Sequence, residues 1–246
     1  MRKPIVAGNW KMHGCIEDVR DLLTQVKSIQ CEATVIVFPP FVFLPLAEAV
    51  LKDSDICWGG QNLATDTQGA FTGEVSADML KDFACEYVLI GHSERRAIYK
   101  ECDADVAKKF TMAQRAGLTP MLCVGESQAQ RESGETNSVV LSQLQAVIDV
   151  VGISALANAV VAYEPVWAIG TGLTATPEQA QAVHATIREH FAKIDVTIAA
   201  ELRILYGGSV KAENAKELFA QPDIDGGLVG GASLKADSFA AICAAA

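Results

Sequence analysis

The sequence of 246 residues has no long hydrophobic run, no excess of positive charge and no closely spaced cysteine pair. Its longest uncharged stretch, residues 33–47, is interrupted by three prolines and is too short to cross a bilayer. The formal net charge of -10 argues against nucleic acid or an anionic membrane as the main partner. We therefore expect neither a membrane protein nor a nucleic-acid-binding protein.

Seven cysteines are present, and none of them belongs to a C-x-x-C pair. An odd number without such spacing is typical of reduced thiols and gives no support to a zinc site. Residues 1–9 also lack the apolar run of a signal peptide. These features predict a cytoplasmic protein that binds no metal.

Hydrophobic residues make up half of the chain, which is enough for a large core. No Gly/Ser-rich linker or change in composition divides the chain, so residues 1–246 are expected to form one domain. Eight short apolar runs alternate with amphipathic stretches such as Ile16–Ser28, Asp103–Ala116, Val139–Val150 and Pro177–Lys193. The runs are Ile5–Trp10, Thr34–Phe38, Ile56–Gly60, Tyr87–Gly91, Thr119–Val124, Ala159–Tyr163, Leu202–Tyr206 and Gly226–Val229.

This alternation predicts parallel strands whose two faces are both covered. Eight such units can close into a (β/α)₈ barrel, for which about 250 residues is typical, and an open doubly wound sheet is the competing arrangement. The clearest helix start is at Pro177, where Thr176 can cap the helix and Gln179 can complete a capping box. Two long connections, residues 61–75 and 125–138, are predicted to be loops with a role in function or in an interface.

Residues 162–172, with the sequence AYEPVWAIGTG, combine a strand end, a carboxylate and an apolar loop. Pro165 keeps Glu164 extended, so that the carboxylate is presented at the end of the strand. The apolar tip, residues 167–169, lies between Pro165 and two glycines, which is typical of a lid that excludes water. Glu164 is therefore a candidate general base.

Polar side chains follow two other strands. Asn9 and Lys11 alternate with Trp10, so both are expected to face the barrel mouth. His92 shares a strand face with Ile90 and precedes a helix, whose N-terminus would favour a neutral ring. Taken alone, Lys11 is more often a solvated surface lysine, and His92 is as often a histidine with a structural hydrogen bond.

Glycine pairs follow the seventh and eighth strands, at residues 207–208 and 230–231. Each pair alone could be an ordinary tight turn, but two of them at these positions favour a phosphate site. Cys123 is interpreted as a packing residue, and His13, His184 and His190 as surface or helix-face residues. Together the candidate residues indicate proton transfer, without a cofactor, next to a carbonyl of a small phosphorylated substrate.

Several of these segments resemble the signature sequences of the triosephosphate isomerase family. They are GNWK at 8–11, QN at 61–62, GAFTGE at 69–74, GHSERR at 91–96, AYEPVWAIGTG at 162–172, YGGSV at 206–210 and LVGGASL at 228–234. The family is itself the standard example of this barrel, of its acid–base assignments and of loop closure, so agreement on those points is not independent support. The resemblance implies a TIM barrel that interconverts dihydroxyacetone phosphate and D-glyceraldehyde 3-phosphate without a cofactor, in glycolysis and gluconeogenesis.

The resemblance also implies roles for single residues. Glu164 would transfer the proton between carbons 1 and 2, and a neutral His92 would polarise the carbonyl group. Lys11 and Asn9 would contact the substrate, and Glu94 would contact the lysine. The phosphate would be held by Gly170, Ser209, Gly230 and Gly231. The lid would comprise Pro165, Val166, Trp167, Ala168, Ile169, Gly170, Thr171 and Gly172.

A homodimer is a further implication, with Thr72 of the connection 61–75 approaching the catalytic residues of a second copy. Leu173 departs from the family pattern, in which a lysine often follows the lid glycine, and this concerns lid kinetics rather than the reaction. Two alternatives stay open. A phosphate-binding barrel without turnover would not need a strand-end base, and a barrel aldolase or sugar-phosphate epimerase would not have this lid sequence.

Overall fold

The computed structural model describes residues 2–171 and 173–246, and the fold is that of these residues. Eight parallel strands close into a barrel, because each strand pairs with its neighbours in the chain and the last pairs with the first. The barrel prediction is confirmed and the open sheet is ruled out. The strands are β1 (Ile5–Asn9), β2 (Thr34–Phe38), β3 (Cys57–Gly60), β4 (Tyr87–Ile90), β5 (Thr119–Val124), β6 (Val160–Tyr163), β7 (Arg203–Tyr206) and β8 (Gly226–Val229).

Helices connect the strands and cover the outside of the barrel. They are α1 (Ile16–Val26), α2 (Leu44–Leu51), α3 (Ala77–Asp82), α4 (Ser93–Ile98), α5 (Asp103–Arg115), α6 (Gln128–Glu132), α7 (Thr136–Val151), α8 (Pro177–Ala192), α9 (Val196–Glu201), α10 (Ala212–Phe219) and α11 (Ala236–Cys243). Short 3₁₀ turns occur at Phe41–Phe43, Ile153–Asn158, Val166–Ala168 and Gly231–Leu234. No helix in the described part of the chain is long and apolar enough to span a membrane.

The predicted start of α8 is confirmed, with the Thr176 side chain accepting a hydrogen bond from the Gln179 amide and Gln179 completing the capping box. The prediction that residues 125–138 form a loop is wrong. Ser127 and Gln130 form a second capping box that starts α6, and α7 begins at Thr136. The connection 61–75 contains no helix or strand, as predicted.

Side-chain alternation along the strands separates two apolar layers. One set of strand residues fills the barrel interior, and the other packs against the helices. The interior set is Ile5, Ala7, Ile36, Phe38, Leu89, Met121, Cys123, Val160, Ala162, Leu205 and Leu228. Because the interior is packed, the open space lies at the carboxyl ends of the strands.

Candidate active site

The carboxyl ends of the strands surround a cavity of about 570 Å³. The predicted catalytic and phosphate-binding residues all line it, although they come from five different strand–helix connections. They are Asn9, Lys11, His92, Glu164, Gly170, Ser209, Gly230 and Gly231. The structure therefore brings together at one site the residues that the sequence presents far apart.

Glu164 directly follows β6, and its side chain is only 2% exposed. Its Oε2 accepts a hydrogen bond from the Ser93 amide at 2.8 Å, and its Oε1 lies 2.9 Å from Nε2 of His92. The backbone is fixed by a hydrogen bond from the Glu164 amide to the Val124 carbonyl at 2.7 Å. Both carboxylate oxygens thus have a donor while the group stays buried at the cavity.

Two glycines make room for Glu164, one for its side chain and one for its backbone. A Cβ on Gly207 would lie 2.9 Å from Cγ of Glu164, and a Cβ on Gly125 would lie 1.8 Å from its carbonyl oxygen. Gly208 is equally confined, because a Cβ there would lie 2.2 Å from the hydroxyl of Tyr206. From the sequence, the glycine pair 207–208 was expected to allow a ligand to approach the backbone closely. In the structure, both positions lack space for a Cβ because neighbouring side chains and backbone atoms already occupy it.

His92 reaches the cavity by a route that differs from the predicted one. Strand β4 ends at Ile90, Gly91 has a φ of +70°, and His92 is the N-cap of α4. Strand alternation therefore does not orient this ring. The Glu94 amide donates to Nδ1 at 3.2 Å, which leaves Nδ1 unprotonated and assigns the proton of the neutral ring to Nε2.

The charges around His92 act on its pKa in opposite directions. Burial lowers the pKa, but the carboxylate of Glu164 beside Nε2 and that of Glu94 raise it by more, and Lys11 partly opposes them. The net pKa is raised above the usual value for histidine. Two protonation states of His92 are therefore in competition. The hydrogen bond at Nδ1 favours the neutral imidazole, and the carboxylate of Glu164 favours the charged imidazolium.

Replacing Glu164 with glutamine should lower the pKa of His92, because the amide preserves the side-chain shape but has no negative charge. An NMR titration of the imidazole nitrogens measures the change. Glu213→Gln is the matched control, since Glu213 lines the same cavity without contacting the ring. An unchanged or higher pKa in Glu164→Gln would show that Glu164 does not control the charge of His92.

Lys11 lies beyond the end of β1 and has a φ of +52°, which is unusual for a residue other than glycine. The predicted alternation of Asn9 and Lys11 along one strand is therefore wrong, although both residues line the cavity. The Asn9 side chain accepts a hydrogen bond from the Lys11 amide at 3.0 Å, and Gln61 donates to the Lys11 carbonyl at 2.8 Å. The Lys11 ammonium contacts Glu94 at 2.5 Å, as expected.

Gly230 and Gly231 leave open space beside this lysine. The nearest atom to a Cβ on Gly230 would be Cε of Lys11 at 3.7 Å, and a Cβ on Gly231 would meet nothing within 4 Å. A 3₁₀ turn begins at Gly231. Exposed backbone amides at a turn start, together with an adjacent ammonium, form a suitable environment for an anion.

The predicted lid borders the cavity. Pro165 is followed by the 3₁₀ turn Val166–Ala168, and Ile169 and Gly170 line the cavity. The Thr171 hydroxyl donates to the Trp167 carbonyl at 2.7 Å. Gly172, the last predicted lid residue, lies outside the described residues.

Sequence reasoning missed the group that holds the lid. Glu126 is completely buried, and its Oε1 accepts hydrogen bonds from the Tyr163 hydroxyl at 3.1 Å and from the Trp167 indole at 2.9 Å. The Arg131 guanidinium lies 3.4 Å from the same oxygen and 4.5 Å from the centre of the Trp167 ring. The signal was available, because Glu126 follows β5 at the same end of the barrel as the other site residues.

Other predicted positions differ in their surroundings. His184 was interpreted as a surface or helix-face residue but is completely buried against Tyr163, and burial lowers its pKa to about 4. His13, also interpreted as a surface residue, is exposed and lines the cavity. Cys123 is a packing residue, since it is completely buried and burial holds its pKa well above the usual range. Thr72 is exposed in the connection 61–75.

Comparisons with known proteins agree with this geometry. The sequence model of the family described as "Triosephosphate isomerase" matches residues 4–246. A triosephosphate isomerase of Thiobacillus denitrificans is 61% identical over 246 residues, which cover all of this chain and 99% of the relative. Those of Dechloromonas aromatica and Alcanivorax borkumensis are each 58% identical, over all of this chain and 100% and 99% of the relatives. The chain therefore belongs to the triosephosphate isomerase family.

Proposed function

We propose that this protein interconverts dihydroxyacetone phosphate and D-glyceraldehyde 3-phosphate by proton transfer, with Glu164 as the base. The observation that supports this most strongly is the buried carboxylate of Glu164, 2.9 Å from an imidazole nitrogen in a cavity that also contains Lys11. A base and an electrophile side by side can act on the adjacent C–H and C=O groups of one small substrate.

In the forward direction, Glu164 takes a proton from carbon 1 of dihydroxyacetone phosphate. The electrons of that C–H bond form the carbon–carbon double bond of the enediolate, and the carbonyl electrons move to the oxygen on carbon 2. The Nε2 proton of His92 and the Lys11 ammonium stabilise this oxygen. Return of the proton to carbon 2, with proton exchange between the two oxygens through His92, gives the aldehyde.

His92 acts in this scheme as a neutral electrophile. When a substrate carbonyl takes the place of Glu164 beside Nε2, the carboxylate that most raises the pKa of the ring is further away. Burial and the Glu94 amide on Nδ1 then favour the uncharged form. Nδ1 of His92 carries no proton, because it accepts a hydrogen bond from the Glu94 amide. The neutral ring can therefore donate its Nε2 proton to the substrate oxygen.

Gly170, Ser209, Gly230 and Gly231, which all line the cavity, are proposed to hold the phosphate. Closure of the lid, residues 165–172, over this group would exclude water and keep the enediolate from losing phosphate. The contacts of Trp167 with Glu126 and Arg131 support the lid at its first turn. The scheme uses no metal or nucleotide.

A coupled assay tests the proposed reaction. Purified protein is given D-glyceraldehyde 3-phosphate without added metal and with no nucleotide other than the NADH of the coupling step. The dihydroxyacetone phosphate formed is reduced by glycerol-3-phosphate dehydrogenase, and NADH oxidation is the readout. Rapid oxidation of NADH that depends on the protein is expected. A protein that binds phosphoglycolate but shows no turnover would instead support the phosphate-binding alternative.

We also propose a homodimer in the cytoplasm, in keeping with seven cysteines that are all free. Large apolar side chains are exposed on the connections that follow β1 to β4, which are adjacent strands of the barrel. They are Met12, Ile16, Val42, Phe71, Met79, Ile98 and Tyr99, with exposures from 47% to 93%. A grouped set of this size is typical of an interface between two copies.

Thr72→Arg should split this dimer and lower activity with it, because a long charged side chain would have to be buried at the centre of the interface. Sedimentation velocity and the coupled assay measure the two effects. Thr197→Arg is the matched control, since Thr197 is exposed on α9. A fully active monomer, or an unchanged dimer in the Thr72 variant, would contradict the proposed contact.

A further inference from the structure

Gln143 of α7 holds the chain just beyond the end of β5. Its Oε1 accepts a hydrogen bond from the Gly125 amide at 2.8 Å, and its Nε2 donates to the Gly125 carbonyl at 3.1 Å. One side chain therefore binds both polar groups of a single backbone residue. Gln143 does not line the cavity and takes no part in the proposed proton transfer.

These two hydrogen bonds take the place of a neighbouring strand. The pairing of β4 with β5 ends at Ile90 and Leu122, where the chain of β4 turns away at Gly91. The polar groups of Gly125 face that side, because those of the residues before and after it face β6. Partly buried backbone groups need a partner, and Gln143 provides one for each.

The residues on either side of Gly125 hold the backbone of the proposed base. The amides of Glu164 and Val166 donate to the carbonyls of Val124 and Glu126, at 2.7 and 3.1 Å. Gly125 itself lies directly against Glu164, since a Cβ on Gly125 would lie 1.8 Å from the Glu164 carbonyl oxygen. A shift of the backbone at Gly125 would therefore move Glu164 as well.

We propose that Gln143 is a positioning residue, which holds Gly125 and thereby keeps the carboxylate of Glu164 in the geometry needed for proton transfer. This inference rests on the proposed role of Glu164 as the base. Without Gln143, the amide and carbonyl of Gly125 have to find other partners, because unpaired backbone groups are costly. The backbone of Glu164 then moves with them, and a displacement of about 1 Å at a reacting group can lower a rate roughly 100-fold.

The first test replaces Gln143 with leucine, which is similar in size but can neither donate nor accept a hydrogen bond. We expect kcat in the coupled assay to fall by roughly 10–100-fold. KM should stay close to the wild-type value, because the proposed phosphate contacts come from other loops. Gln145→Leu is the matched control and should keep the wild-type kcat, since Gln145 lies on the same helix and donates to Asp149 of that helix at 2.6 Å.

The second test uses the pKa of His92, measured by NMR, to report the position of Glu164 without any turnover. Burial lowers this pKa, and the Glu164 carboxylate, 2.9 Å from Nε2, raises it. Displacement of the carboxylate should therefore lower the pKa of His92 in Gln143→Leu and leave it unchanged in Gln145→Leu. A loss of stability alone would not change the pKa of the folded protein.

Circular dichroism shows whether each variant is folded at the assay temperature. If the leucine variant is not, Gln143→Met takes its place in both measurements. Methionine is unbranched and similar in length to glutamine, and it favours a helix equally well. The same fall in kcat and in the pKa of His92 is expected, because the thioether cannot replace the two hydrogen bonds to Gly125.

Two results would overturn the proposal. One is a folded Gln143 variant in which either kcat or the pKa of His92 equals that of the Gln145 control. The other is a failure of both Gln143 variants to fold, which would make this side chain a requirement of the barrel rather than of the site. A wild type without isomerase activity would refute the proposed function instead, and the pKa of His92 would then decide by itself whether Gln143 positions Glu164.

Discussion

Glu164→Ala should lower kcat/KM by about 10²–10⁴-fold or more, the range that a positioned general base provides, while the fold is retained. The side chain lies at the end of β6 and faces the cavity, so its loss removes no contact of the barrel interior. It leaves the Ser93 amide and Nε2 of His92 without their acceptor. Both donors can be reached by water from the cavity once the carboxylate is absent.

The coupled assay and circular dichroism measure activity and fold on the same samples. Glu213→Ala is the matched control, because it removes a carboxylate from the rim of the same cavity without removing the proposed base. Binding of phosphoglycolate should persist in Glu164→Ala, since the proposed phosphate contacts come from other loops. Turnover close to the wild type, or a global loss of helical signal, would refute the separation of catalysis from stability.

Asp225→Ala should destabilise the protein by about 3–5 kcal/mol, the cost of breaking a buried ion pair on one side. Asp225 precedes β8 at the end of the barrel away from the cavity, and it is 8% exposed. Its carboxylate accepts from Arg2 at 2.6 Å, from Arg188 at 2.8 Å and from the Ile204 amide of β7 at 2.8 Å. Removal of the carboxylate leaves the partly buried guanidinium of Arg188 short of an acceptor and the Ile204 amide of β7 unpaired.

Asp223 limits the damage, because it also pairs with Arg188, at 2.6 Å. Urea unfolding followed by circular dichroism at one fixed protein concentration measures the change. Asp53→Ala removes the same charge from an exposed position and serves as the control. The turnover rate of the folded Asp225 variant should equal that of the wild type. A midpoint within the error of the control would show that the network does not stabilise the barrel end.

The sequence predicted the barrel because its signals are local and periodic. Apolar runs of four to six residues and a capped helix at Thr176 each specify structure within a few residues. The site followed from one topological rule, that the ends of parallel strands meet on one face. That rule placed Asn9, His92 and Glu164 together without any knowledge of side-chain contacts.

The errors arose where tertiary contacts or backbone turns decide the structure. Strand alternation stopped at Asn9 and at Ile90, and the positive φ values of Lys11 and Gly91 turn the chain out of the strand conformation at these points. The burial of His184 depends on the packing of α8 over β6 and β7, which no local pattern in the sequence reports. Glu126 was missed because its partners Tyr163 and Trp167 are 37 and 41 residues away in the chain.

The most direct test of the central claim is to run the isomerisation in D₂O with the wild type and follow the products by NMR. Proton transfer through Glu164 predicts deuterium from solvent at carbon 2 of the glyceraldehyde 3-phosphate formed, because a carboxylic acid can exchange its proton before returning it. Glu164→Ala should incorporate deuterium at a rate reduced in step with its turnover. Full conversion by the wild type with no deuterium on carbon would indicate a direct hydride shift and would contradict the role of Glu164 as the base.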